Sequence, residues 1–306
     1  MESNESAGVE LKPMRVRLSS WDTYQRNKAY LVSIGADFRI ESCGNVERLL
    51  YGGKEFMYID TQAVGGNGHH LTRIFKSDID KWLAVNAESM PRWDKNYCEQ
   101  MFNINAIERN IGVPLVLVDI NDCYWRTAFL LGYITEQTYI KGLRQRDWKI
   151  GRNACIGGLA KTSVVSVYRA GKVSVRNVIR PKEEYQYVRN HIIGHVHKIF
   201  SRLFGQMGNA FFMMLTDCLV TTYGNLKYVQ SELKAEGYKS KHKPVEFTLL
   251  DRANKTVHWV DFSDKEKNEK GIAVPRDKYY IYAHHQVVQS EVVDTTGFYK
   301  PRIELG

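Results

Sequence analysis

Cysteine and proline are both scarce in this chain, with five of the first and seven of the second among 306 residues. Cys43, Cys98, Cys123, Cys155 and Cys218 are scattered, odd in number, and form no C-x-x-C pair. That excludes a disulfide framework and a structural zinc site, and points to a reducing cytoplasm. No apolar run approaches the length that spans a bilayer, so a membrane channel is excluded and no membrane partner is expected. The opening Met-Glu-Ser-Asn-Glu-Ser is polar and acidic, unlike a secretory signal. Internal repeats are lacking too. What remains is globular: 43% of residues are hydrophobic and 25% charged, enough to bury a core in one large domain or two small ones.

Acidic residues are also lacking over one long stretch. The whole chain carries 43 Lys+Arg against 34 Asp+Glu, a net charge of +9. Between Lys141 and Arg202 fourteen residues are basic and only Asp147, Glu183 and Glu184 are acidic. This segment therefore carries more than the whole excess. Such clustering is the electrostatic footprint of a polyanion partner, set against the plainer reading of a solvated face.

Patterning along the chain predicts α+β. Residues 1–14 read as a disordered leader. Strands are expected at Ala36–Ser42 and Phe56–Asp60 around the turn Tyr51-Gly-Gly-Lys54, and a loop at Val64–Gly68. Asp78 to Asn110 reads as helical, capped by Ser77 or Asp78. Val113–Asp119 is a short apolar run, hence a buried strand. Helices are expected at Tyr124–Tyr133, Thr135–Leu143 and Arg144–Lys161. Ser163–Arg169 and Lys172–Ile179 alternate around Ala170-Gly171 as a hairpin. Pro181 opens a long helix to about Phe204, with Glu183 and Glu184 favoured in its first turn. Ala210–Leu215 and Cys218–Tyr223 read as strand halves. Asn225 is expected to cap a helix ending at Gly237. Val245–Leu250 and Thr256–Phe262 form a further hairpin, and Ser263–Lys270 a charged linker. The order from 113 onward predicts an antiparallel sheet with helices on one face.

Two carboxylates, Asp119 and Asp217, end strongly apolar strands. A bare acid there is costly unless paired or bound to metal. Side by side, two such acids make a hard-oxygen site for Mg²⁺ or Mn²⁺. Two such ions about 3.5–4 Å apart can serve an in-line displacement at phosphorus. Taken singly, each Asp reads more simply as a turn residue. Lys149, Arg152, Asn153 and Gly157 stand at i, i+3, i+4 and i+8, and Arg146 at i−3. Helical spacing puts them on one stripe, offering cations to a triphosphate.

Taken together these residues resemble family B DNA polymerases, which carry three motifs in the order A, B, C. Motif A, Asp-x-x-Ser-Leu-Tyr-Pro, resembles Asp119-Ile-Asn-Asp-Cys-Tyr124-Trp125. Motif B, Lys-x-x-x-Asn-Ser-x-Tyr-Gly, resembles Lys149-Ile-Gly-Arg-Asn153-Ala-Cys-Ile-Gly157 with the same spacing of Lys, Asn and Gly. Motif C, Asp-Thr-Asp-Ser, resembles Leu215-Thr216-Asp217-Cys218. The resemblance covers roughly residues 113–262. It implies that Asp119 and Asp217 hold the metal ions, Tyr124 lies under the deoxyribose and excludes a 2′-hydroxyl, Lys149 pairs with the incoming phosphates, and Asn153 lines the nucleotide pocket. Arg146, Arg152 and Gly157 join that pocket by position on the helix.

The departures are Leu215 in place of the first acid of motif C, Asp122 in place of Ser, and Trp125 in place of Pro. Asp122 is a further candidate metal ligand. The implied organisation is a small α+β region at 15–112, a palm at 113–262 with minimal fingers at about 125–161, and a tail or rudimentary thumb at 263–306. No Asp-x-Glu proofreading motif stands upstream. The resemblance thus implies a compact, non-proofreading, poorly processive DNA polymerase in the cytoplasm of a bacterial or phage-infected cell. Its partners would be a DNA primer–template, dNTPs and an accessory or priming protein. Lys161, Arg169, Lys172 and Arg176 are the expected nucleic-acid contacts. The rival readings are an inactive, palm-derived nucleic-acid binder and a primase-like nucleotidyltransferase.

The other polar clusters carry less. His191 and His195 have metal-compatible i, i+4 spacing but no third ligand, and Cys123 and Cys218 read as small buried thiols. Tyr168, Tyr185 and Tyr187 are candidates for base stacking, or simply for sheet packing. Gly65-Gly66-x-Gly68 is neither a Walker nor a dinucleotide loop.

Overall fold

A computed structural model of the chain describes residues 15–43, 46–59, 68–90, 92–93, 100–144, 149–268, 272–282 and 286–288. The leader, most of the Val64–Gly68 loop, Arg146 and the His284-His285 pair lie outside the described residues. The elements are β1 (Arg15–Leu18), α1 (Trp21–Ser33), β2 (Phe38–Cys43), β3 (Val46–Tyr51), β4 (Lys54–Ile59) and α2 (Gly68–Asn86). Then come β5 (Gln100–Asn103), α3 (Ile104–Glu108), β6 (Leu115–Ile120), α4 (Cys123–Leu130), α5 (Glu136–Leu143) and α6 (Lys149–Gly158). After these come β7 (Ser163–Arg169), β8 (Lys172–Ile179), α7 (Glu183–Met207), β9 (Phe211–Leu215), β10 (Cys218–Thr221) and α8 (Leu226–Ala235). The last are β11 (Ser240–Asp251), β12 (Thr256–Lys267), β13 (Ala273–Ile281) and β14 (Gln286–Val288). This is a mixed α+β protein, and no helix among the described residues is long and apolar enough to cross a membrane.

The chain divides into two compact units, Met1–Leu83 with Ile140–Gln186, and Ala84–Tyr139 with Tyr187–Gly306. The first unit holds a six-stranded sheet in the order β1-β4-β3-β2-β7-β8, antiparallel except for β1 against β4. Its core joins Tyr24 and Leu31 of α1 to Phe38, Ile40 and Leu49 of the sheet. Ser20 caps α1 by accepting the Thr23 N–H at 3.2 Å. Both central residues of the β7–β8 turn have positive φ, Ala170 at 48° and Gly171 at 71°. That twist suits a two-residue hairpin. A side chain at Gly171 would begin 2.4 Å from the Val32 carbonyl oxygen, so glycine is required there.

The second unit holds an eight-stranded sheet in the order β13-β12-β11-β6-β10-β9-β5-β14. One face carries Val118, Ile120, Met214 and Leu219 against Val196, Phe200 and Leu203 of α7 and Val229 and Leu233 of α8. The other carries Leu115, Leu117, Val220, Val245 and Phe247 with Ile104 and Ile107 of the short α3. Each face thus has helical cover, where helices on a single face were expected.

Several sequence expectations are corrected. Asp78 caps nothing. It is buried inside α2, whose stripe Leu71, Phe75, Ile79 and Leu83 begins upstream of it at four-residue spacing. That helix stops at Asn86, and β5 and α3 follow. Asn225 makes no side-chain cap; its amide donates to Thr222 Oγ1 at 3.0 Å. The supposed linker from Ser263 continues β12 to Lys267, and Ala273–Ile281 pairs with β12 as a further strand. Finally, β7 pairs with β2, so the hairpin read as part of a 113–262 block belongs to the sheet of the N-terminal strands.

Candidate active site

The two acids expected to act together come from neighbouring strands of the second unit. In β6 the residues Leu115–Val118 and Ile120 are buried, and only Asp119 is half-exposed. That composition commits β6 to the middle of a sheet. β6 lies between β10 and β11. Antiparallel register sets Asp119 opposite Cys218 on one side and opposite Lys241 on the other. Asp217 immediately precedes Cys218, in the two-residue turn closed by the Leu215–Cys218 pair. Its carbonyl accepts the N–H of Ile120 at 3.0 Å, which holds the turn against the end of β6. Thr216 Oγ1 donates to Asp217 Oδ1 at 3.0 Å.

Strain and electrostatics mark the same place. Only four non-glycine residues among those described have positive φ, and two are here: Asp122 at 50° and Thr216 at 45°. Left-handed backbone at non-glycine positions is uncommon and clusters at functional sites. Tyr124, in the first turn of α4, reaches across so that its hydroxyl donates to the Thr216 carbonyl at 3.1 Å. Burial, and then the charges of Asp217 and Asp119, push both the Cys123 and Cys218 thiols well above their ordinary range. Of the two expected buried thiols, Cys123 is buried and Cys218 is only half-buried. That each thiol feels both carboxylates is a second sign that the acids are close.

Sequence reasoning missed Lys241. Its Nζ lies 3.0 Å from Asp119 Oδ2. Lys241 and Lys243 alternate within β11, so both side chains fall on one face of that strand. Lys243 contacts a second acid, Asp261, at 3.1 Å. Asp261 is buried, takes the Ser263 N–H at 2.9 Å, and has Lys278 at 3.6 Å.

The donor chemistry of Asp119 and Asp217 fits Mg²⁺ or Mn²⁺. Mg²⁺ commonly takes one or two protein carboxylates and completes its shell with water and phosphate oxygens. Among the described residues no group of three or more His, Cys, Asp or Glu gathers into an all-protein cage. Asp122 ends the same segment, and its carbonyl is taken by the Arg126 N–H at 2.8 Å. Leu215, where the family pattern has its first acid, is buried in the apolar core.

The motif B residues lie in the other unit, on α6. Lys149, Asn153 and Gly157 are exposed, and nothing crowds Gly157. Arg152 does not share their face. It is buried, and its guanidinium donates to the Gly142 carbonyl at 2.6 Å. The reason is angular: i+3 and i+4 positions are 100° apart on a helix, and Arg152 falls on the inner side. Lys161, Arg169, Lys172 and Arg176 are exposed. The basic segment is not one free surface, since Arg202 pairs with Glu232 and Glu236 and Lys198 lies over the Trp93 ring.

His191 stacks on Trp93 with ring centroids 4.0 Å apart, and its Nδ1 lies 2.6 Å from the Tyr133 hydroxyl. Burial, helped by the charges of His195 and Lys198, lowers its pKa to about 4. It is a neutral packing residue at pH 7.

No protein-family model and no curated protein matches this chain.

Proposed function

We propose that the chain is a compact, template-directed nucleotidyltransferase that adds deoxynucleotides to a DNA primer, with Asp119 and Asp217 as its acidic pair. The observation that carries this reading is the register placing Asp217 beside the end of β6, one position from the partner of Asp119. The eight-stranded sheet then serves as a palm, and its strands present the acids at one end. Asp119 and Asp217 would hold Mg²⁺ or Mn²⁺ through carboxylate oxygens. The ion supplies charge stabilisation for an in-line displacement at phosphorus. Tyr124, steadied on the Thr216 carbonyl, packs under the sugar and selects deoxyribose. A separate accessory or priming protein supplies processivity; among the described residues after Phe262, β13 pairs with β12 and widens the sheet.

Two observations favour a second reading, a nucleic-acid-binding protein built on the same scaffold without catalysis. Leu215 removes an acid, and the Lys241 ammonium already neutralises Asp119. One assay separates the readings. The protein is incubated with primed template, labelled dNTPs and Mg²⁺ or Mn²⁺, beside Asp119→Ala and Asp217→Ala. Extension that both substitutions abolish supports the enzyme. DNA binding without extension in either metal supports the binder, and products from unprimed template support a primase.

A further inference from the structure

Asp119 and Lys241 stand directly opposite each other across β6 and β11, with Lys241 Nζ 3.0 Å from Asp119 Oδ2. Two positions along β11, Lys243 makes a second lysine–aspartate pair, and the two pairs differ in their surroundings. The Asp261 side chain is 2% exposed and also takes the Ser263 N–H, the Ser263 hydroxyl and Lys278. Removing Lys243 from that network would strand a buried carboxylate. The Asp119 side chain is 22% exposed and that of Lys241 49%. Water reaches both members of this pair, so it is weak. A lysine on its flexible four-carbon stem can swing off it and stay hydrated.

The carboxylate that Lys241 contacts is the one assigned above to a divalent ion. An ion bonding the same oxygen at about 2.0–2.1 Å would stand no more than about 5 Å from the ammonium. At that spacing a doubly charged and a singly charged cation repel each other. We propose that Lys241 and the divalent ion are alternative occupants of Asp119 Oδ2. Lys241 is then a resident counter-ion. It offsets the repulsion between Asp119 and Asp217, and an ion binds only by displacing it. The ammonium therefore sets how tightly the site takes metal. This inference rests on the reading of Asp119 and Asp217 as metal ligands. It turns an ion pair that counts against catalysis into the resting form of the site.

The test is Mn²⁺ binding by the full chain at low salt, without nucleotide or DNA, followed by electron paramagnetic resonance of the free ion. Lys241→Met keeps an apolar stem of similar length. It is expected to bind Mn²⁺ about fivefold more tightly than wild type, the affinity that an exposed pair worth about 1 kcal/mol withholds. Lys241→Arg keeps the cation and should bind no more tightly than wild type. Lys239→Met removes the same charge from an exposed residue two positions away and should leave the affinity unchanged. Adding Asp119→Asn to Lys241→Met should cancel the gain. Circular dichroism reports the fold of each variant, and a gain in affinity does not arise from a loss of fold. Where Asp119→Asn weakens Mn²⁺ binding but Lys241→Met binds no more tightly than wild type, the proposal is overturned and the metal reading of the acids stands. The same holds where Lys239→Met tightens binding as much as Lys241→Met. Mn²⁺ binding that Asp119→Asn leaves unchanged, or no binding by any variant, overturns both.

Discussion

The Tyr124 hydroxyl donates to the Thr216 carbonyl oxygen at 3.1 Å, a hydrogen bond between residues 92 positions apart. It ties the first turn of α4, just past Asp119, to the turn that bears Asp217. Each acid is thus followed or preceded by a residue that fixes the other's segment, and both anchoring segments contain a left-handed non-glycine residue. With the Ile120 N–H donating to the Asp217 carbonyl, the Tyr124–Thr216 bond holds the segments that bear Asp119 and Asp217 side by side.

Stability should therefore respond weakly to loss of an acid. Asp217→Asn keeps the side-chain shape and removes one of two neighbouring negative charges. The expected change in urea-unfolding free energy lies within about 0.5–1 kcal/mol of zero, with either no loss or a gain. A loss of several kcal/mol would mean that Asp217 holds the hairpin together.

Restoring the missing acid should fail for a physical reason. Leu215 is 6% exposed and packs in the core on the sheet face that α3 covers. Leu215→Asp buries a carboxylate without a prepared partner and removes apolar contacts. It should cost about 3 kcal/mol or more, read as a lower urea midpoint. A variant as stable as the parent would show that this position opens to solvent or metal.

Asp261 predicts an acid-sensitive term. Burial alone would raise its pKa, but the Ser263 hydroxyl and amide and the Lys243 ammonium overcome it and hold the carboxyl below its usual value. The unfolded chain, with an Asp pKa of about 3.9, then takes up the proton more readily than the folded one. The stabilisation is present above that pH and is lost as pH falls through the lowered folded value. Urea midpoints of wild type and Asp261→Asn, measured from about pH 6 downward, should differ most at the upper end and converge in acid. A constant gap would contradict this.

Nucleic-acid affinity should fall steeply with salt, because exposed cations such as Lys161 and Arg169 release counterions from phosphates. Fluorescence anisotropy of a labelled primer–template across a salt series reads the slope directly. A flat response would remove the basic segment from the contact surface.

Much of this architecture was legible residue by residue. The hairpin at Ser163–Ile179 was read at its observed bounds, because period-two alternation and an Ala-Gly turn are both local signals. Val113–Asp119 and Ala210–Leu215 were read as strands for a different local reason, their unbroken apolar runs. α1 was missed because only Tyr24 and Leu31 are buried along it, too few to print a helical period on a mixed sequence. β11 and β12 outran their expected ends because Ser240–Pro244 and Ser263–Lys267 are polar edges whose pairing comes from neighbouring strands.

Strand order was the larger gap. The pairing of β2 with β7 joins Phe38 to Tyr168, a long-range choice that no local pattern encodes. At the candidate site the two acids and Tyr124 were legible. Lys241 was not, because its role depends on lying opposite Asp119 in a register only the fold reveals.

The measurement that bears most directly on the acidic pair is single-nucleotide incorporation on a primed template. Wild type, Asp119→Asn and Asp217→Asn are run side by side in Mg²⁺ and in Mn²⁺. The account predicts incorporation by wild type and a drop of about 10²–10³-fold in each variant, with primer–template affinity retained. A wild-type protein inert in both metals, or variants that extend as fast as wild type, would contradict it.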